Sequence, residues 1–129
     1  MGYHLASSTG TTIVNSTGSG GESAFMQVGP LSTPVDAGII IVLYLFSYIA
    51  TATTLNVRIT LRRAAGVTGA LLTTLSDFVA TAGQLVERSG LFVDTPSTSG
   101  PQTYALNVNN ITTGAAAAFV EQQLFAFVL

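Results

Sequence analysis

The fold class predicted for this chain is all-β, built of short antiparallel strands, and three observations carry that prediction. Leu55, Val57, Ile59 and Leu61 alternate with Asn56, Arg58, Thr60 and Arg62, a period of two that puts the aliphatics on one face of a strand and would scatter them around a helix. Upstream, residues 37–57 run 21 positions without a charge between Asp36 and Arg58. That is long enough for a membrane helix, which takes about 20 apolar residues. However, Ile39 to Ile49 is dense in β-branched and aromatic side chains, which suit a pleated surface. The polar run Ala50-Thr51-Ala52-Thr53-Thr54 then reads as a turn between two strands. Third, turn chemistry recurs at short intervals from Glu22 onward, the spacing of a sandwich or barrel.

Taken in order, residues 1–24 form an extended N-terminal arm rich in Gly, Ser and Thr, and residues 25–129 form a single sandwich domain. Met1 to Leu5 lacks the basic and apolar regions of a signal peptide. The first strand covers residues 24–28 and closes at Gly29-Pro30; 39–49 and 55–63 follow, the latter ended by Ala64-Ala65-Gly66. Residues 70–75 and 78–82 are separated by Ser76-Asp77, 78–82 and 84–88 by Gly83, and 84–88 and 91–94 by Ser89-Gly90. A turn over 95–101 carries Pro96 and Pro101, which cannot supply N–H groups to a ladder. Residues 103–109 alternate again, with Tyr104, Leu106 and Val108 on one face. Ala115 to Ala118 favour helix by propensity, but the flanking Thr112-Thr113-Gly114 and Leu124-Phe125-Ala126-Phe127-Val128 leave room only for a loop entering a last strand, 119–129. The expectation is about eight strands.

Composition narrows the function. The chain has no cysteine, no lysine, four arginines, one histidine and 8% charged residues, with a formal charge of −2. Without clustered basic residues it has no footprint for nucleic acid. With His4 alone and no Cys, neither a Ser-His-Asp nor a Cys-His constellation can be assembled, and a His-rich zinc site is excluded. Six carboxylates remain: Glu22, Asp36, Asp77, Glu87, Asp94 and Glu121. Asp36 and Asp77 stand where turns begin, and a carboxylate pair drawn from Glu87 and Asp94 is the sole hydrolytic arrangement to weigh. Gly18-Ser19-Gly20-Gly21 is a linker and not a phosphate loop. The reading is non-enzymatic, with no cofactor and no metal.

A hydrophobic content of 48% is high for a small domain that meets water on all sides. Two strands are apolar on both faces. Ile39, Ile41, Leu43, Leu45 and Ile49 oppose Ile40, Val42, Tyr44, Phe46 and Tyr48; Leu124, Ala126 and Val128 oppose Phe125, Phe127 and Leu129. One face of a sandwich strand fills the core and the other usually meets water, so the second apolar face needs a cover. Aromatic enrichment marks interfaces, and Tyr44, Phe46, Tyr48, Phe125 and Phe127 are the expected contacts between subunits.

The succession Leu55 to Arg63, Arg88-Ser89-Gly90-Leu91-Phe92-Val93-Asp94, Thr103-Tyr104-Ala105-Leu106-Asn107-Val108 and Gln123 to Leu129 resembles the small jelly-roll heads of tailed-phage structural proteins. It is also similar to tumour-necrosis-factor and complement-type trimers, whose last strand is likewise aromatic and aliphatic. The resemblance spans residues 25–129 and implies a homotrimeric jelly roll on the outer surface of a virion. Residues 1–24 are too short for a fibre shaft, which favours a capsid decoration or cement protein. Such a protein would grip the major capsid protein, or another virion protein, through its arm, with Tyr3, Leu5, Ile13 and Val14 as apolar anchors. Main-chain pairing of an extended segment with a sheet edge supplies affinity of this kind. The alternative is a receptor- or glycan-binding knob using the 95–102 loop, with Tyr104 or Phe92 stacking on sugar. A membrane protein spanning with residues 37–57 comes third.

Overall fold

The computed structural model describes residues 3–15, 22–33, 38–50, 54–63, 69–96, 100–110 and 116–129. Eight strands follow one another: β1 (Tyr3–Asn15), β2 (Ser23–Thr33), β3 (Ile40–Ala50), β4 (Thr54–Arg63), β5 (Ala70–Thr81), β6 (Leu85–Asp94), β7 (Gly100–Asn110) and β8 (Ala116–Val128). They form two four-stranded sheets, in the orders β1-β8-β3-β6 and β2-β7-β4-β5, and every pairing is antiparallel. Successive strands therefore lie in opposite sheets, except for β4 and β5, which pair with each other. This is the jelly-roll order expected for the chain.

The long uncharged stretch resolves into β3 and β4, as its period required. The alternation over 55–62 is realised directly: Val57, Ile59 and Leu61 are fully buried, and Arg58 and Arg62 point outward into ion pairs. Two expected interruptions are not breaks. Ser76-Asp77 lies inside β5, where Ser76 is buried and Asp77 faces its cross-strand partner Arg58. Ser89-Gly90 lies inside β6, where Gly90 stands opposite Tyr44. A Cβ at Gly90 would run into the Tyr44 ring, 2.8 Å from Cζ, so the glycine is there to admit that ring. The expected interruption at Gly83 is the turn between β5 and β6: its φ of 79° suits glycine, and there the Gln84 N–H donates to the Thr81 carbonyl at 3.0 Å. The alanines before Phe119 also belong to a strand, since β8 begins at Ala116.

The N-terminal segment is extended, as expected, and is docked. β1 lies along β8 as the outer strand of the first sheet, with Tyr3 opposite Phe127 and Asn15 opposite Ala116. Residues 3–15 are thus the first of the eight strands, and the strands from residue 23 onward number seven without them. Residue 24, the expected boundary between arm and sandwich, is the second residue of β2.

The core lies between the sheets in two adjoining clusters. One gathers Phe46, Tyr48, Ala50, Val57, Ile59, Ala80, Val86, Val108 and Phe119; the other gathers Val28, Leu31, Ile40, Val42, Leu61, Tyr104, Leu106, Leu124, Ala126 and Val128. Phe25, Tyr44 and Leu75 pack against both. Phe25 stacks on Phe119 with ring centroids 4.3 Å apart and meets Phe46 edge-on at 6.5 Å. Burying each such ring is worth about 1.5–3 kcal/mol, and this cluster welds β2, β3 and β8 together.

Candidate functional site

Of the five residues expected at a subunit interface, three are inside the sandwich. Phe46 and Tyr48 are fully buried and Tyr44 packs against both core clusters. The physical reason is that β3 is apolar on both faces, and the opposing sheet decides which face is the core. Val57, Ile59, Leu61, Tyr104, Leu106 and Val108 supply the apolar lid that the aromatic face meets. Phe125 and Phe127 are on the other side. They are half-buried on the outer face of β8, with ring centroids 5.5 Å apart, while Leu124, Ala126 and Val128 turn inward.

Strand register shows what surrounds that pair. Leu91, Leu43 and Phe125 form one row across β6, β3 and β8, and the row ends at the Leu5 position of β1. Val93, Ile41 and Phe127 form the next row, which ends at Tyr3. Beyond it the Leu129 N–H donates to the Ile39 carbonyl at 2.8 Å, closing a third apolar row. Ile39, Leu43, Leu91, Val93 and Leu129 are between 38 and 69% exposed. No charged residue stands in these rows. Large contiguous apolar patches of this kind mark interaction sites on soluble proteins.

The patch ends abruptly along the strands. Leu45 lies between Ser89 and Gln123, and Ser47 between Glu87 and Glu121. Ser47 is small and is flanked by the two glutamates, leaving a depression of about 340 Å³ lined also by Arg88. Asp94 is not part of it. Seven residues along β6 separate it from Glu87, about 23 Å at strand rise, which removes the hydrolytic pair from consideration. Among the described residues no group of three or more His, Cys, Asp or Glu side chains is placed to hold a metal.

Asp94 instead ties the two sheets together. It is buried at the end of β6. It accepts from the Tyr104 hydroxyl at 2.7 Å, from Arg63 Nε at 2.7 Å, and from Arg63 Nη2 through its other oxygen. Arg63 and Tyr104 are register partners on β4 and β7. Burial first, and then the hydrogen bond to Asp94, raise the Tyr104 pKa far above its ordinary value. The Asp94 contact raises that of Arg63. Tyr104 is fully buried and Phe92 packs against the core, so neither presents a ring for stacking on sugar. This lock was invisible in the sequence, since its three members come from three strands and two sheets.

The anchors assigned to the arm fall on β1: Tyr3 and Leu5 oppose Phe127 and Phe125, and Ile13 and Val14 oppose Ala118 and Ala117. Among the described residues no helix is long and apolar enough to cross a membrane, and the stretch assigned to a span is divided between β3 and β4.

No family model matches the sequence, and no curated protein matches it. Solved structures do. A chain in the structure of the infectious bursal disease virus Gx strain superposes with a TM-score of 0.65 at 12% identity, covering 98% of this chain and 32% of that one. A chain of the infectious bursal disease virus VP2 subviral particle gives 0.66 at 9% identity, covering 98% and 33%. This chain spans about a third of the length of either neighbour. At such identities the likeness is one of fold.

Proposed function

We propose that this chain is a non-enzymatic structural protein of a virion, a homotrimer that decorates the outer surface of a capsid. The observation that carries the reading is the uncharged apolar patch on the outer face of the β1-β8-β3-β6 sheet, centred on Phe125, Phe127, Leu43, Leu91 and Val93, on a sandwich whose fold recurs in virus particles. A face of this kind left in water is an aggregation hazard; packed against copies of itself it becomes a stable core. The trimer contact thus moves from Tyr44, Phe46 and Tyr48 to the opposite side of β3 and keeps Phe125 and Phe127. Attachment to the major capsid protein is a property of the assembled trimer, since β1 is engaged in its own sheet. The resemblance to phage decoration proteins and tumour-necrosis-factor-like trimers supports the copy number.

Purified protein mixed with capsids that lack it should co-sediment in multiples of three copies per binding site, and electron microscopy should place it outside the shell. Sedimentation separate from the capsids, together with binding on a glycan array, would replace this reading with that of a receptor-binding knob.

A further inference from the structure

β1 is held differently from the strands around it. It is an edge strand whose ladder partner is β8 alone, over eleven register positions. Seven of its 13 residues are Ser, Thr, Gly or Asn, and none carries a carboxylate, lysine or arginine. Its tie to the sheet is therefore main-chain pairing, which any identical β8 edge can provide. Other sheet edges carry devices that oppose pairing with a second chain: Pro30 and two register shifts in β2, Glu87 and Arg88 in β6. β1 has no proline and no charged side chain, and its ladder carries a single register shift, between Thr9 and Thr12. Between β1 and β2, residues 16–21 read Ser-Thr-Gly-Ser-Gly-Gly, and six residues span at most about 20 Å. Finally, Tyr3 and Leu5 take the register positions beside Phe127 and Phe125, at the margin of the apolar face on which a second copy is expected.

We infer that β1 is an exchangeable strand, supplied in the assembled protein by one copy of the chain to the β8 edge of the next. Exchange loses no pairing, because the donor's β8 receives a β1 in return, and a strand swap between identical chains is a low-cost route to assembly. It also locks the copies together through main-chain bonds at the border of the apolar contact. The inference rests on the trimer reading, and its test separates the two.

The chain has no cysteine, so engineered pairs report cleanly. Ser8 and Gln122 are register partners, and Gln122 is buried on the inward side. A disulfide between Ser8→Cys and Gln122→Cys therefore requires strand pairing and cannot arise from contact across the outer face. Register partners stand about 4.5–5.5 Å apart at Cα, within disulfide reach. Ser7→Cys with Gln123→Cys, whose Gln123 is exposed, is the second pair should the buried substitution disturb folding. After oxidation of the full-length double variant, exchange gives covalently linked multichain species on a denaturing non-reducing gel, with a closed trimer as end product. A single-chain band carrying an internal disulfide, from a protein that sediments as a trimer, overturns exchange and leaves the trimer standing. The same band from a sedimenting monomer overturns both. Failure of either pair to oxidise contradicts the β1–β8 register and with it the inference.

Discussion

The two outer faces of this sandwich are built by opposite rules. On the β2-β7-β4-β5 side, Arg58 pairs with Asp77 at 3.1 Å, and Arg62 Nε reaches Glu22 at 2.9 Å, while the Thr60 hydroxyl donates to the same carboxylate at 2.6 Å. Its exposed aliphatics, Leu71 and Val79, sit apart, Leu71 opposite Arg62 and Val79 two residues from Asp77. On the β1-β8-β3-β6 side, two consecutive rows are apolar from β6 to β8 and Ile39 and Leu129 extend them, while the polar groups begin only at Ser89 and Gln123. Both faces belong to one small domain of low charge. Arg58, Arg62, Asp77 and Glu22 are set on the first face, whereas on the second Glu87 and Glu121 stand only beyond Leu45, beside Ser47. The lesson is that the chain has polar residues for its surface and withholds them from one contiguous patch of it.

The comparison breaks first on β3, which contributes to both the core and the apolar face. Phe46→Ala, on the inward side, should cost about 3–5 kcal/mol in urea unfolding, whereas Leu43→Ala, one strand face away, should change single-subunit stability by less than about 1 kcal/mol. Equal losses would mean that the two faces have been assigned the wrong way round.

Next in size is the lock between the sheets. Asp94→Ala leaves Arg63 without its partner and the buried Tyr104 hydroxyl without its acceptor, at a cost on the order of 3 kcal/mol. Thermal denaturation of this variant beside Tyr104→Phe separates the two contributions.

The same groups set the alkaline limit. Burial raises the pKa of both Tyr48 and Tyr104 above the ordinary value, so the fold holds these phenols protonated where the unfolded chain would release them. Their stabilising contribution is complete below about pH 10, the unfolded phenol value, and is lost as pH climbs beyond it. Stability measured from pH 8 to 12 should be flat and then fall, with a shallower fall in Tyr104→Phe. A rise above pH 10 contradicts the burial of both hydroxyls.

The smallest effect belongs to the charged face. Arg58→Ala removes an ion pair exposed on both sides and should shift stability by no more than about 1 kcal/mol, less at high salt.

How far the sequence was legible follows the same division. The period of two over 55–62 placed β4 with its buried and exposed faces, because polar residues alternate there with aliphatic ones. β3 and β8 were legible as strands but not as to facing, since the unbroken apolar runs over 39–46 and 124–129 carry no phase. The inward set was decided by β4 and β7 in the other sheet, a fact of tertiary structure. Gly90 and Ser76-Asp77 looked like punctuation because local propensity cannot see a tyrosine ring across the sheet or an arginine on the next strand. β1 lacked any apolar alternation and so read as an arm; its place in the sheet is fixed by main-chain pairing with β8. Phe125 and Phe127 were found because the last strand ends in an aromatic and aliphatic run, but their companions Leu91 and Val93 needed the register of β6 on β3.

The central claim is that the apolar outer face is a contact between copies. It is tested most directly by sedimentation equilibrium of the unmodified chain beside Phe125→Asp. The account predicts a trimer for the first and a folded monomer for the second, with an unchanged β-type circular dichroism spectrum, because an unpaired charge buried in that contact costs several kcal/mol. An unmodified chain that sediments as a monomer, or a Phe125→Asp variant that remains a trimer, would contradict it.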